Sequence, residues 1–100
     1  MYNISVIVPF YKGNKYLTGL KQSLENACIS YEGKVEVIMV NDSPKEKIEK
    51  KLIQSEKYSL VIVEHDVNYG IHKTRVTGIR KAKGEYILLL DQDDKIKSEF

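Results

Sequence analysis

Four short apolar runs, each bounded by polar residues, recur along this 100-residue chain. The runs are residues 4–8, 35–40, 60–63 and 86–90. They contain many valine and isoleucine residues, which favour β-strands. The last run is continuously apolar, and this predicts a strand that is buried on both faces. Such strands are typical of parallel sheets that are covered by helices.

Apolar residues at helical spacing between the runs predict three helices. The first helix is expected within residues 17–28. The third is expected over about residues 71–82, with Val76 and Ile79 facing inward and Gly84 placed to end it.

The second helix is expected to begin at Ser43. Ser43 and Glu46 have the spacing of a capping box, and Pro44 suits the first turn of a helix. The resulting βαβαβαβ order predicts an α/β fold with a parallel sheet and right-handed crossovers. A strand order of 3-2-1-4, half of a doubly wound Rossmann-like fold, is expected, with helices on both faces.

Three carboxylates, Asp91, Asp93 and Asp94, follow the fourth run directly. In open parallel sheets, ligands bind at the carboxyl ends of the strands. Like charges this close repel unless a cation intervenes, which predicts a metal-assisted diphosphate site. A polar turn explains the same residues about equally well. An EF-hand calcium loop is excluded, because Ile96 stands where that loop requires glycine.

Other candidates follow the remaining strand ends. Asp42 can accept a hydrogen bond from a base or a ribose, or it can be a turn acid. Tyr11 can stack on a base, or it can be an aromatic residue at the rim. Arg75 can offer a bidentate fork to a phosphate, although a single helix arginine is more often simply exposed. His65 and His72 lack any metal-ligand spacing; both are interpreted as ordinary residues, with His72 at most peripheral to the site.

Composition narrows the classes of function. With 16 basic and 14 acidic residues the net charge is +2, too even for a nucleic-acid footprint. Cys28 is alone, so no internal disulfide is expected, and no glycine-rich phosphate loop occurs. No signal peptide or run long enough to span a bilayer is visible, which predicts a cytoplasmic location.

Six segments, in order, resemble the amino-terminal half of family 2 glycosyltransferases, the inverting enzymes of the GT-A fold. The segments are residues 4–11 (ISVIVPFY), 36–43 (EVIMVNDS), 68–70 (NYG), 74–79 (TRVTGI), 82–87 (AKGEYI) and 91–94 (DQDD). They are similar to the family patterns S-V-I-V-P-x-Y-N, E-I-I-V-V-D-D-G-S, N-x-G, A-R-N-x-G-I, A-x-G-E-Y-I and D-S-D-D.

The resemblance implies a role for each matching residue. Pro9 and Tyr11 would lie near the nucleobase, and Asp42 would read the edge of the base. Arg75 would lie near the diphosphate. The acids of the D-x-D motif would hold the ribose and a Mg²⁺ or Mn²⁺ ion: Asp91 as nucleotide and metal ligand, Asp93 as metal ligand, and Asp94 in support.

Some positions depart from the family pattern. Lys12 replaces its asparagine, Asn41 replaces the first acid of its D-D pair, and Val76 replaces the asparagine of A-R-N. In such enzymes the acceptor site and the general base follow the D-x-D motif. Residues 1–100 are therefore expected to be the donor-binding part of a longer domain, with the base beyond Phe100.

The resemblance implies metal-assisted transfer of a hexose, with inversion, from a nucleotide-diphosphate sugar to a saccharide or lipid-linked acceptor. A UDP-sugar is favoured, and the longer protein would build cell-wall polysaccharide, at the inner face of the membrane if it has an anchor. The chain alone is expected to be inactive and to self-associate through its fourth strand. Two alternatives stay open: a non-catalytic nucleotide-binding module, and a receiver-type signalling domain.

Overall fold

The computed structural model describes residues 2–29 and 31–93. In chain order, the strands and α-helices are β1 (Ile4–Phe10), α1 (Leu17–Ile29), β2 (Val35–Asn41), β3 (Ser59–Glu64), α2 (Ile71–Lys81) and β4 (Tyr86–Leu89). Single turns of 3₁₀ helix occupy Asn14–Tyr16 and Lys50–Leu52. No helix in this part of the chain combines the length and the apolar content that a membrane crossing requires.

The strands form a parallel sheet with the order β3-β2-β1-β4, which confirms the predicted topology. Strand β1 lies between β2 and β4, with Ile4 opposite both Val35 and Tyr86. In a receiver domain the first strand lies between the second and the third. The observed order therefore argues against the receiver alternative.

The two faces of the sheet are covered by different helices, because successive strand residues point to opposite faces. On one face, Val6, Val8 and Phe10 of β1 pack with Leu20 and Leu24 of α1 in the larger core cluster. On the other face, Ile7, Ile38 and Val40 form a smaller cluster. Helix α2 contacts β1 and β2.

Helix α2 approaches the sheet through small residues, not through the predicted apolar pair. Thr74 and Gly78 are the buried residues of α2, whereas Ile79 is 40% exposed and Val76 is only partly buried. A Cβ atom on Gly78 would lie 2.3 Å from Cγ2 of Ile7, so the glycine permits the close packing. The prediction that Val76 and Ile79 face inward was wrong, since close approach to β1 selects a face without large side chains.

The predicted second helix is also wrong, because residues 43–53 form turns and one 3₁₀ turn. The Ser43 hydroxyl accepts the N–H of Lys12 at 2.8 Å, so it does not cap a helix. The Asn41 side chain accepts the N–H of Ser43 and donates to the carbonyl of Glu46, at 2.9 and 2.8 Å. Residues 43–53 therefore bond to Lys12 and Asn41, which lie outside the segment, in place of the i to i−4 backbone bonds of a helix. Ile48, which suggested the helical pattern, is still buried.

Strand β4 lies at the edge of the sheet, and its four residues are all exposed, with Tyr86 at 71%. The prediction of a strand buried on both faces was therefore wrong, whereas the edge position that the predicted order 3-2-1-4 gives this strand is confirmed. Within the described residues β4 pairs with β1 on one side. Leu90, directly after the strand, is 7% exposed and joins the larger core.

The loop between α2 and β4 is fixed by a buried acid. The carboxylate Oε2 of Glu36 accepts the hydroxyl of Ser5 at 2.5 Å and the N–H of Lys83 at 2.6 Å. The hydroxyl of Ser5 in turn accepts the N–H of Gly84 at 2.8 Å. Gly84 does not end the helix, which stops at Lys81. A Cβ atom there would lie 2.7 Å from the backbone nitrogen of Ser5, so the glycine allows the loop to contact β1.

Candidate functional site

A cavity of about 410 Å³ opens at the carboxyl edge of the sheet. Its walls include Pro9, Tyr11, Asp42, Arg75, Asp91 and Asp93, all of them candidates from the sequence. The seventh candidate, Asp94, lies outside the described residues. The topology brings these residues together because parallel strands end at the same edge. The volume is within the usual range for small-molecule sites.

Asp42 is the most extensively bonded acid of the cavity. Its Oδ1 accepts the N–H of Tyr69 and the ring Nδ1 of His65, each at 2.8 Å. Its Oδ2 accepts the N–H of Gly70 at 2.9 Å. Gly70 has φ +91°, a conformation that glycine adopts readily, and this aims successive N–H groups at the carboxylate. Each carboxylate oxygen accepts two hydrogen bonds, so Oδ2 has capacity for one more.

These contacts also determine the charge of Asp42. Burial by itself would raise the pKa of the carboxyl group. The N–H of Tyr69, the His65 ring and the N–H of Gly70 outweigh burial and hold the pKa of Asp42 below its ordinary value. The Asp42 side chain is therefore a buried anion near neutral pH, at 6% exposure.

His65, which the sequence suggested was ordinary, is part of this arrangement. Its side chain is 9% exposed, with Nδ1 on Asp42 and Nε2 at 2.9 Å from Oγ1 of Thr77 in α2. The ring of Tyr69 meets it edge-on, with 4.9 Å between the ring centres. Spacing along the chain gave no sign of these contacts. The one signal was its position directly after β3, at the edge where the site forms.

Arg75 reaches across the cavity to the end of β4. Its Nη2 donates to Oδ1 of Asp91 at 2.9 Å, and both side chains remain partly exposed, at 37% and 46%. An ion pair this exposed adds little to stability. Because guanidinium binds phosphate as well as carboxylate, the same Arg75 group is suited to a diphosphate.

Gln92 joins the loops that follow β1 and β4. Its side-chain amide accepts the N–H of Tyr11 at 2.8 Å and donates to the carbonyl of Tyr11 at 2.9 Å. Tyr11 itself is 47% exposed, and Nζ of Lys12 lies 5.4 Å from the centre of its ring. Sequence reasoning treated this residue only as the spacer of D-x-D. Nothing in the pattern marks it, because its partner is 81 positions away.

The acids at the end of β4 suit a divalent cation by chemistry. Asp91 and Asp93 both line the cavity, and Mg²⁺ is usually held by one or two carboxylates together with substrate phosphates. Within residues 2–29 and 31–93, no three acid, histidine or cysteine side chains lie close enough to hold an ion by themselves. A cation here would accordingly need oxygen ligands from the phosphates as well.

A parallel sheet ordered β3-β2-β1-β4, with helices on both faces and a polar cavity at its carboxyl edge, defines a doubly wound α/β protein of the GT-A type. Residues 5–100 match the family described as Glycosyl transferase family 2. The chain belongs to this family.

Relatives and solved structures agree with that assignment. The chain is 35% identical over 98 residues to the Minor teichoic acid biosynthesis protein GgaB of Bacillus subtilis, and covers 11% of it. It is 34% identical over 104 residues to the Poly(ribitol-phosphate) beta-N-acetylglucosaminyltransferase TarS of Staphylococcus aureus, and covers 18% of it. These alignments include 95% and 99% of the present chain.

The crystal structure of S. aureus TarS 1-349 in complex with UDP superposes with a TM-score of 0.82 at 32% identity. The match covers 97% of this chain and 29% of that one. The complex of TarS 1-349 with UDP-GlcNAc gives the same TM-score and covers 96% and 28%. The chain thus spans less than a third of the length of each of these relatives.

Proposed function

We propose that residues 1–100 are the donor-binding part of a glycosyltransferase. The longer protein would transfer a hexose, with inversion, from a nucleotide-diphosphate sugar to an acceptor hydroxyl. The observation that carries this proposal is the convergence of Tyr11, Asp42, Arg75, Asp91 and Asp93 on one cavity. The UDP and UDP-GlcNAc complexes of TarS support it.

The bound nucleotide is proposed to be a uridine diphosphate. Uracil carries an N–H at N3, and Oδ2 of Asp42 has capacity for one further donor. The exposed ring of Tyr11, next to Pro9, offers a flat apolar surface for a small base. Guanine also offers an N–H at N1 to such a carboxylate, so the preference over GDP rests on the stacking of a small ring on Tyr11, and competition between UDP and GDP tests it. Tighter binding of GDP would overturn it.

Mg²⁺ or Mn²⁺ is proposed as the cofactor, held by Asp91 and Asp93 with Asp94 in support. When bound there, the cation would neutralise charge that develops on the departing diphosphate. Arg75, already at the same strand end, would bind the diphosphate from the other side. The chain's own contribution is that two acids and one guanidinium line the same cavity.

Titration calorimetry with UDP, with Mg²⁺ or with EDTA, tests the metal site. UDP affinity should fall by at least about tenfold in EDTA, since the acids and the diphosphate otherwise repel. Asp93→Asn should remove the metal dependence and leave the urea midpoint unchanged. Glu32→Gln, an exposed acid before β2, is the matched control and should behave like the parent chain. Equal affinity of the parent chain with Mg²⁺ and with EDTA would refute the role of the metal.

The acceptor is proposed to be a saccharide or a lipid-linked saccharide. The names of GgaB and TarS support a role in the biosynthesis of cell-wall polysaccharide. A location in the cytoplasm or at the inner face of the membrane is part of the proposal. The general base is proposed to lie beyond Phe100, so the 100-residue chain should bind UDP but transfer no sugar. Measurable transfer by this chain would place a base within it. Binding without transfer by the longer protein would favour a non-catalytic module instead.

Self-association of the 100-residue chain is proposed to occur through β4. The strand has an unpaired edge within the described residues, and exposed edges pair readily with other chains. Light scattering over a concentration series should show growth in mass. Ile87→Lys in β4 should suppress this growth in mass. Ile29→Lys is the control and should not suppress it, because it changes an isoleucine that is also exposed but lies at the end of α1. A parent chain that stays monomeric at high concentration would contradict the proposal.

A further inference from the structure

We propose that His65 is a positioning residue for nucleotide recognition: it holds the carboxylate of Asp42 in the orientation that reads the N3–H of uracil. The inference rests on the proposed uridine site and adds a residue that the family resemblance does not assign. It comes from the contacts of a largely buried histidine whose one sequence signal is its position directly after β3.

The His65 ring is fixed at both nitrogens. Nδ1 lies 2.8 Å from Oδ1 of Asp42, and Nε2 lies 2.9 Å from Oγ1 of Thr77. The Asp42 carboxylate is ionised and can only accept, so Nδ1 must carry the proton that forms this bond. Thr77 belongs to α2. Its hydroxyl has one proton, which it donates either to an unprotonated Nε2 of His65 or to the carbonyl of Lys73, 3.0 Å away in the same helix; in the second case Nε2 donates to Oγ1. The histidine therefore connects Asp42 to a rigid helix.

This contact determines which lone pair of Asp42 is left for a ligand. Oδ1 is occupied by His65 and Tyr69, and Oδ2 by Gly70. Without His65, the N–H groups of Tyr69 and Gly70 would still bind the carboxylate, but Oδ1 would regain a free lone pair and both oxygens could accept from a ligand. With His65 present, the remaining acceptor is on Oδ2. One orientation is then selected before the nucleotide binds, which avoids an ordering cost on binding.

Holding the Asp42 carboxylate in one orientation should affect how well the site distinguishes uracil from cytosine. Uracil has a donor at N3, whereas cytosine has an acceptor there and would face the Asp42 carboxylate with matching lone pairs. A site built to accept a hydrogen bond rejects an analogue that lacks the donor. The ratio of UDP to CDP affinity therefore reports the orientation of Asp42, whereas a general loss of folding would weaken both nucleotides alike.

Calorimetry with UDP and CDP on the 100-residue chain and its variants tests the inference. His65→Leu should reduce the UDP-to-CDP ratio by about tenfold, the scale of one charge-assisted hydrogen bond. His65→Asn places an N–H near the Nδ1 position and should restore much of the ratio. Thr77→Val should lower the ratio, and Thr77→Ser, which keeps the hydroxyl, should not.

The outcomes separate this inference from the proposed function. A parent chain that binds UDP and CDP equally would overturn the uridine site and the role of His65 with it. A parent that prefers UDP, with the preference intact in His65→Leu, would overturn the role of His65 alone. Nitrogen-15 NMR of the His65 ring in the parent chain is independent of whether variants fold. It should show a protonated Nδ1, and a neutral ring protonated only at Nε2 would refute the inference.

Discussion

Replacement of Glu36 by alanine removes a carboxylate that is 2% exposed and lies beside β1. Two donors would lose their acceptor, the hydroxyl of Ser5 at 2.5 Å and the N–H of Lys83 at 2.6 Å. The hydroxyl of Ser5 also holds Gly84, so the loop that leads into β4 would be released from the sheet. We expect a large loss of stability that begins at this loop.

The magnitude follows from the number of bonds lost. A hydrogen bond to a charged group contributes about 1.5–3 kcal/mol, and the two bonds together exceed what is regained by no longer burying a charge. A net loss of about 3 kcal/mol is expected, out of a total of about 5–15 kcal/mol for a domain. Both donors bind the same oxygen, so Glu36→Gln keeps a carbonyl oxygen that can accept both and loses only the charge; it should cost about half as much.

Urea unfolding followed by circular dichroism measures the effect. With a slope of about 1.5 kcal/mol per molar, a loss of 3 kcal/mol lowers the midpoint by about 2 M. Glu64→Ala, on the exposed side of β3 and 3.3 Å from its partner Asn41, is the control and should move the midpoint little. Hydrogen exchange at the amides of Lys83 and Gly84 should accelerate. A midpoint equal to that of the control, with unchanged exchange at both amides, would refute the reasoning.

A Cβ atom on Gly13 would lie 2.2 Å from Oε1 of Gln92 and would displace that amide, so Gly13→Ala should lower the free energy of unfolding by about 1 kcal/mol. The loss should be smaller in a Gln92→Ala background, and additive shifts of the urea midpoint would contradict this coupling between the two residues. Lys12 has φ +48°, which asparagine tolerates better, so Lys12→Asn should raise stability by up to about 1 kcal/mol, and an unchanged or lower Tm would count against it. The pKa of Asp42 is held below its ordinary 3.8, so its contribution to stability should be complete above that pH and lost as the pH falls through the lower value. In Asp42→Asn the urea midpoint should fall less steeply at acid pH than in the parent chain. Parallel pH profiles of the parent chain and the variant would be inconsistent with this prediction.

The strands and the first and third helices could be predicted from the sequence because they depend on local periodicity. The runs at residues 4–8 and 35–40 became β1 and β2, and the helical spacing after Ile71 became α2. The strand order followed from the alternation of strand and helix, since right-handed crossovers leave few arrangements. The meeting of Asp42 with the acids after β4 followed in turn, because parallel strands end at one edge.

Local periodicity failed where a distant group formed the stronger bond. Residues 43–53 have a good capping sequence, yet the side chains of Asn14 and Asn41 bind their backbone and prevent a helix. The face of α2 that meets the sheet was decided by the space beside Ile7, which only Gly78 fits. The exposure of β4 follows from its place at the edge of the sheet, which the strand order predicts and the apolar run alone does not.

Most of the elements, their order in the sheet and the edge at which the polar residues gather could be predicted from the residue pattern, because each depends on neighbours within a few positions or on general rules of chain crossing. The partners of the site residues became visible only in the folded chain. Asp42 depends on His65 and Gly70, 23 and 28 positions away, and Tyr11 depends on Gln92, 81 positions away. A hydrogen bond requires contact within about 3 Å, and no pattern along the chain records which distant atoms come that close.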